Sequence, residues 1–169
     1  CFLNIGGISN ITIIKKPIGS LELFSQDIGP GNCLIDSWVR KNSNLRFDLD
    51  GKLALAGKIN EIILEQAQDL YSNRTNKQKI SFDTNDFDIS FARGLSLEDG
   101  CATITDFTGY LIAEGLKHVS QKNNITFLLC GGGRKNSNLI NSIKNYLKNE
   151  NNITLEVIDN YNLKGDYIE

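Results

Sequence analysis

Three glycine-bearing segments carry residue types and spacings that could handle a phosphorylated ligand. In Asn4-Ile5-Gly6-Gly7-Ile8-Ser9-Asn10 a glycine pair separates two β-rich runs. Without Cβ atoms the backbone of Gly6 and Gly7 can approach a phosphate and donate N–H groups to it, with Asn4 and Asn10 flanking the turn. The same pair also suits an ordinary hairpin. Gly29-Pro30-Gly31-Asn32 reads as a loop delivering a helix N-terminus, where free N–H groups offer an anion site and Asn32 stands as N-cap. The alternative is a loop that Gly and Pro shape merely to start the helix. Cys130-Gly131-Gly132-Gly133-Arg134-Lys135-Asn136 follows an apolar run and opens a helix. Three successive glycines are costly to order, and the flat surface they leave suits a purine and its phosphates.

Other reactive side chains say less. Asp27, Asp36, Asp106, Asp166 and Glu169 lie near the glycines or near buried patterns, and spacing alone makes none of them a base. His118, the one histidine, sits near the end of a helical pattern beside Lys117, where a solvated residue favourable to the helix dipole is expected. Asp48-x-Asp50-Gly51 suggests a calcium loop, but its first ligand position falls on Arg46 and its last on Gly57. Cysteines at 1, 33, 101 and 130 are too dispersed for zinc and too few for a disulfide framework. Reduced thiols in a cytoplasmic protein and no metal-ligand cluster are therefore expected.

Positioning these segments requires a mixed set of elements. Residues 2–5, 9–16 and 20–26 read as three short strands of an antiparallel meander. Leu34, Ile35, Trp38 and Val39 recur at helical spacing, and residues 58–71 form a second helix through Ile59, Ile62, Ile63, Ala67 and Leu70. Residues 72–97 are a polar connection with a short helix near 86–92. The longest helix spans 98–120, followed by a strand at 125–130, a helix through Leu139, Ile140, Ile143 and Leu147, and a strand at 153–158. The β-β-β-α-β-α-β order is that of a ribonuclease-H-like unit, the repeating half of actin-like ATPases: an α/β fold with a mixed sheet and flanking helices.

Composition excludes several classes of function. With 169 residues, 40% of them hydrophobic, the chain can bury one sizeable core. A net charge of -2 leaves no basic footprint for nucleic acid or an anionic membrane. The longest apolar runs are strand-sized, far below the roughly 20 residues that span a bilayer. The opening residues lack the basic leader and apolar core of a signal peptide, and the chain starts inside a strand, as a fragment would.

Taken in order, the segments NIGGISN (4–10), DIGPGNCLID (27–36), DGKLALAGKIN (50–60), ATITDFT (102–108), CGGGRKN (130–136) and Gly165-Asp166-Tyr167-Ile168-Glu169 resemble the anhydro-N-acetylmuramic acid kinases across essentially all 169 residues. That resemblance implies a two-domain actin-like kinase with a nucleotide cleft between its halves. Residues 1–169 would be the single C-terminal nucleotide-binding domain, with the N-terminal half absent. The implied reaction uses ATP and Mg2+ to open 1,6-anhydro-N-acetylmuramic acid and phosphorylate it, giving N-acetylmuramic acid 6-phosphate in peptidoglycan recycling. The partners are then an amino sugar and the N-terminal half, with a homodimer left open. On the same footing the Asn4–Asn10 turn meets the nucleotide phosphates, Gly29, Gly31 and Asn32 adjoin it, and Gly131, Gly132 and Gly133 with Asn136 cradle the adenosine. Glu169 matches an acid directed into the sugar site. The implied activating aspartate lies N-terminal to the matched segment, so the chain alone should not turn over. Thr84 stands where relatives carry a basic residue, and a helix beyond Glu169 would cover sheet surface that is otherwise exposed. The rival readings are a non-catalytic nucleotide- or sugar-binding remnant and another actin-like phosphotransferase, the latter disfavoured by segments 29–32 and 51–57.

Overall fold

A computed structural model describes residues 1–15, 20–74, 81–121 and 123–165. Three strands come first: β1 (Phe2–Ile5), β2 (Ile8–Lys15) and β3 (Glu22–Pro30). Four helices follow: α1 (Cys33–Asn42), α2 (Lys52–Ala56), α3 (Glu61–Arg74) and α4 (Leu97–Ser120). The chain then returns through β4 (Ile125–Cys130), α5 (Ser137–Tyr146) and β5 (Ile153–Val157). The sheet order is β3-β2-β1-β4-β5. β1, β2 and β3 pair antiparallel, whereas β4 pairs parallel to both β1 and β5.

Side-chain alternation decides which sheet face is buried. Leu3, Ile5, Ile11, Phe127 and Leu129 are all fully buried and pack against Ile112, Leu116, Leu139 and Ile143 of α4 and α5. Each such aliphatic side chain removed from water stabilises the fold by about 1.5–3 kcal/mol. Phe2, Ile14 and Leu128 belong to neither core cluster, and Ile14 is 48% exposed, so apolar surface is present on the sheet. A second cluster joins α1, α2, α3 and the N-terminal half of α4, with Trp38, Leu64, Cys101 and Phe107 buried in it. α4 belongs to both clusters and fixes one against the other. Its start is capped by Ser96, whose Oγ accepts the Asp99 N–H at 3.0 Å.

Several boundaries differ from the sequence reading, each for a local reason. β3 runs on through Gly29 and Pro30, which pair with Ser9 and Ile8, so these residues are strand rather than loop. β3 is an edge strand, where a proline without an N–H is tolerated. α3 starts at Glu61 rather than near residue 58, because the Asn60 side chain accepts the Ile63 N–H and the Lys58 N–H goes instead to Asp99. Residues 86–92 form no single helix; Thr84–Asp86 and Ser90–Ala92 are separate 3-10 turns. α2 escaped the sequence reading, being five residues long. Asp48 holds it, its two carboxylate oxygens accepting the Leu53 and Ala54 N–H groups at 2.7 and 3.1 Å.

Candidate functional site

Strand register brings the glycine segments together. The Gly6-Gly7 turn follows β1, and the parallel pairing of Asn4 with Cys130 sets the end of β4, hence Gly131, beside it. β3 ends at Pro30 opposite Ile8, which adds Gly31 and Asn32 at the same end of the sheet. Asn4, Asn10 and Asp27 stand opposite one another on neighbouring strands, forming a polar row just below the glycines. All three glycine clusters thus occupy one sheet end, where open α/β sheets place ligands.

The start of α1 is used differently from its sequence expectation. The Gly31 and Cys33 N–H groups donate to the Gly7 carbonyl at 2.9 and 3.1 Å, and the Asn32 N–H donates to the Gly6 carbonyl at 2.8 Å. These donors are spent on the neighbouring turn and form no open anion site. Asn32 occupies the N-cap position, but its side chain makes no cap hydrogen bond. Its amide points instead across the gap, with Nδ2 3.9 Å from where a Cβ on Gly132 would sit.

Three glycines of these clusters are demanded by the protein itself, one of them the buried Gly133, where a Cβ would lie 2.3 Å from Ile5 Cγ2. A Cβ on Gly31 would lie 2.3 Å from the Gly6 carbonyl oxygen, so the two turns could not close on each other. Gly131 holds φ +76°, and a Cβ there would come within 2.2 Å of Asn4 Oδ1. Gly7 and Gly132 are another matter. A Cβ on Gly7 would meet nothing within 4 Å, and one on Gly132 only Asn32 Nδ2. Both are exposed, and both have φ outside the left-handed region. Among the described residues, the N–H groups of Gly6, Gly7 and Gly132 donate to no backbone carbonyl. The fold leaves open, facing solvent, the glycines and donors that a phosphate could use.

The remaining site residues divide between structural and open roles. Asn136 is 6% exposed and caps α5, its Oδ1 accepting the Leu139 N–H at 3.1 Å. The triple glycine enters a 3-10 turn, Gly132–Lys135, before that cap. Asn4 Oδ1 is buried with no hydrogen-bond partner among the described residues, an unmet acceptor directly beneath the glycines. Glu169 and Asp166 lie outside the described residues. Thr84 borders a cavity of about 400 Å³ that is also lined by Arg40 and Lys41 of α1.

Asp27 is the acid whose position the sequence could not supply. Its Oδ2 accepts the Ser81 hydroxyl at 3.1 Å and the Phe82 N–H at 2.9 Å, while no described residue hydrogen-bonds its Oδ1. It lines a groove of about 1320 Å³ between β3, α3 and α4, whose wall includes Tyr71, Phe82, Phe91 and Tyr110. The pairing needed to find it links residue 27 to residues 81–82, a contact that local pattern cannot reveal. The thiols offer no competing chemistry: all four cysteines are free, and burial pushes Cys33, Cys101 and Cys130 above the ordinary thiol range. Among the described residues no cluster of three His, Cys, Asp or Glu could hold a metal, and no helix is long and apolar enough to cross a membrane.

Fold and sheet end together define a mixed α/β domain of five strands with flanking helices and an open glycine-lined edge, compatible with an actin-like sugar kinase domain. The chain belongs to the anhydro-N-acetylmuramic acid kinase family, whose profile matches residues 1–169. It is 46% identical over 172 residues to the anhydro-N-acetylmuramic acid kinase of Pelagibacter ubique, covering 100% of this chain and 45% of that protein. It is 34% identical over 148 residues to the enzyme of that name from Methylobacterium nodulans, covering 88% and 38%. The match to the one from Zymomonas mobilis is 32% identical over 169 residues, covering 99% and 44%. The chain spans less than half the length of these relatives.

The geometry separates glycines required by packing from glycines left open. Gly31→Ala is expected to destabilise the domain by about 1–3 kcal/mol, because the obstructing atom is backbone and cannot swing away. Gly7→Ala should stay within about 0.5 kcal/mol of wild type. Chemical denaturation of the two variants checks both, and equal stabilities would contradict the close-packed turns.

Proposed function

We propose that this chain is the nucleotide-binding domain of a two-domain sugar kinase, in which the sheet end at Gly6-Gly7 and Gly132 receives the phosphates of ATP. The observation that carries the reading is the convergence of open glycines with uncommitted N–H donors, at positions where the fold itself makes no use of a missing side chain. Asn4 and Asn32 flank that opening and supply side-chain amides. The five-stranded order with a parallel β1–β4–β5 portion supports a ribonuclease-H-like domain of the actin-like type. The family relationship supports 1,6-anhydro-N-acetylmuramic acid as acceptor, with N-acetylmuramic acid 6-phosphate as product in cytoplasmic peptidoglycan recycling. The other domain would complete the cleft, since the relatives are more than twice as long as the matched region.

Asp27 is the acid we assign to the acceptor. This differs from the expectation that the activating aspartate lies outside the chain. One carboxylate oxygen is held by Ser81 and Phe82, which fixes the group, and the other remains available at the edge of an aromatic-walled groove. A carboxylate so placed can take a proton from water as that water attacks the anhydro carbon. The released 6-oxygen then attacks the γ-phosphorus and ADP leaves. Phosphoryl transfer depends mainly on positioning and charge neutralisation, which backbone donors at a sheet end provide. Mg2+, which the kinase family implies, would supply charge neutralisation for the transferring phosphoryl group.

Gly132→Val tests the nucleotide assignment directly. Its Cβ has room and its φ is not left-handed, so the variant should keep the wild-type melting temperature while losing ADP binding in calorimetric titration. Undiminished ADP affinity in a folded Gly132→Val protein would refute the site. For the acceptor step, Asp27→Asn in the two-domain enzyme should lower kcat by about 10²–10⁴-fold with the ATP affinity largely retained. An Asp27→Asn enzyme as fast as wild type would remove Asp27 from the mechanism.

A further inference from the structure

The triple glycine is followed by Arg134, whose position beside a phosphate-binding loop invites the reading of a cation aimed at the ligand. The structure uses it otherwise. Its side chain is 6% exposed, and it forms a two-pronged ion pair with Asp159: Nε to Oδ2 at 2.6 Å and Nη2 to Oδ1 at 3.0 Å. A third donor, Nη1, reaches the Gly131 carbonyl at 2.9 Å. On the other side of the same glycine, the Gly131 N–H donates to the Gly165 carbonyl at 2.9 Å. Gly165 passes so close that a Cβ there would sit 2.6 Å from Arg134 Nε. Asp159 belongs to the 3-10 turn Ile158–Tyr161 directly after β5, and Ile158 is fully buried. One guanidinium therefore ties the glycine loop after β4 to the turn after β5.

We propose that Arg134 is a positioning residue for nucleotide binding: through its clasp on Asp159 and Gly131 it fixes the left-handed bend at Gly131 and so aims the Gly132 N–H into the site. The inference rests on the nucleotide assignment of the preceding section. Geometry selects arginine for this role. A planar fork can engage both carboxylate oxygens and still present a further N–H to a carbonyl, whereas a lysine ammonium is a point donor that cannot span the three acceptors in the same way. The arginine holds the Asp159 carboxyl below the usual carboxylate range, as expected for a close charge-assisted pair. With both faces of Gly131 hydrogen-bonded, its φ of +76° is set by the clasp and by the Asn4 contact together.

Arg134→Lys in the intact protein that carries this chain is the test, since it keeps the charge for Asp159 and removes the fork. Loss of one charge-assisted positioning contact is expected to raise the ADP dissociation constant and the KM for ATP about tenfold. The kcat at saturating ATP should fall much less, and a thermal melt should show the domain still folded. Amide exchange at Gly131, measured without nucleotide, should quicken as its bond to Gly165 loosens. Faster Gly131 exchange with unaltered ADP affinity would overturn the positioning role and leave the nucleotide site standing. A fall in kcat as large as the rise in KM would also overturn it, since that pattern reports a group acting in the transition state. Failure of the wild-type protein to bind ADP would overturn the nucleotide assignment, and this inference with it.

Discussion

Everything at the functional end of this domain depends on two backbone turns being able to touch. The carbonyls of Gly6 and Gly7 accept the N–H groups of Gly31, Asn32 and Cys33, so the turn between β1 and β2 is welded to the start of α1. That contact is possible only because Gly31 carries no side chain, its would-be Cβ falling 2.3 Å from the Gly6 oxygen. The weld has two consequences. It satisfies the donors at the N-terminus of α1, which would otherwise be unpaired. It also fixes the Gly6-Gly7 turn, whose own N–H groups donate to no backbone carbonyl among the described residues.

The same division of labour runs through the loop after β4. Gly131 is bent into the left-handed region and gripped on both sides, by Arg134 and by the backbone of Gly165. Gly132, one residue on, is exposed and unobstructed. In this loop a glycine required by packing, Gly131, stands beside one that packing does not require, Gly132. Preorganised donors of this kind cost little to reorient when an anion arrives, which is how a site assembled from backbone can bind and stabilise a transferring phosphoryl group.

Much of this was legible in the sequence because it is written in local periodicity. The alternation of Leu3 with Ile5 and of Phe127 with Leu129 marks strands with one buried face, and the apolar spacing from Ala102 to Leu116 marks α4. The glycine clusters announced themselves through composition. What could not be read was contact between distant segments. The Gly29-Pro30 pair looks like a loop until register with Ser9 and Ile8 is known. Asn136 also serves as a helix cap, and Asn32 looks like a cap but leaves its side chain facing Gly132. Asp27 was one acid among many until Ser81 and Phe82 were found holding it at the groove.

The most direct test of the central claim is a residue-resolved titration of backbone amides with ADP. The account predicts that the largest shifts fall on Gly6, Gly7 and Gly132, whose N–H groups donate to no backbone carbonyl among the described residues, with smaller changes at Asn32 and Arg134. The buried amides of Gly31 and Cys33, already bonded to the turn, should respond less. Shifts confined to the groove between α3 and α4, or no shifts at nucleotide saturation of the relatives' kind of site, would contradict the claim that this sheet end is where the nucleotide phosphates bind.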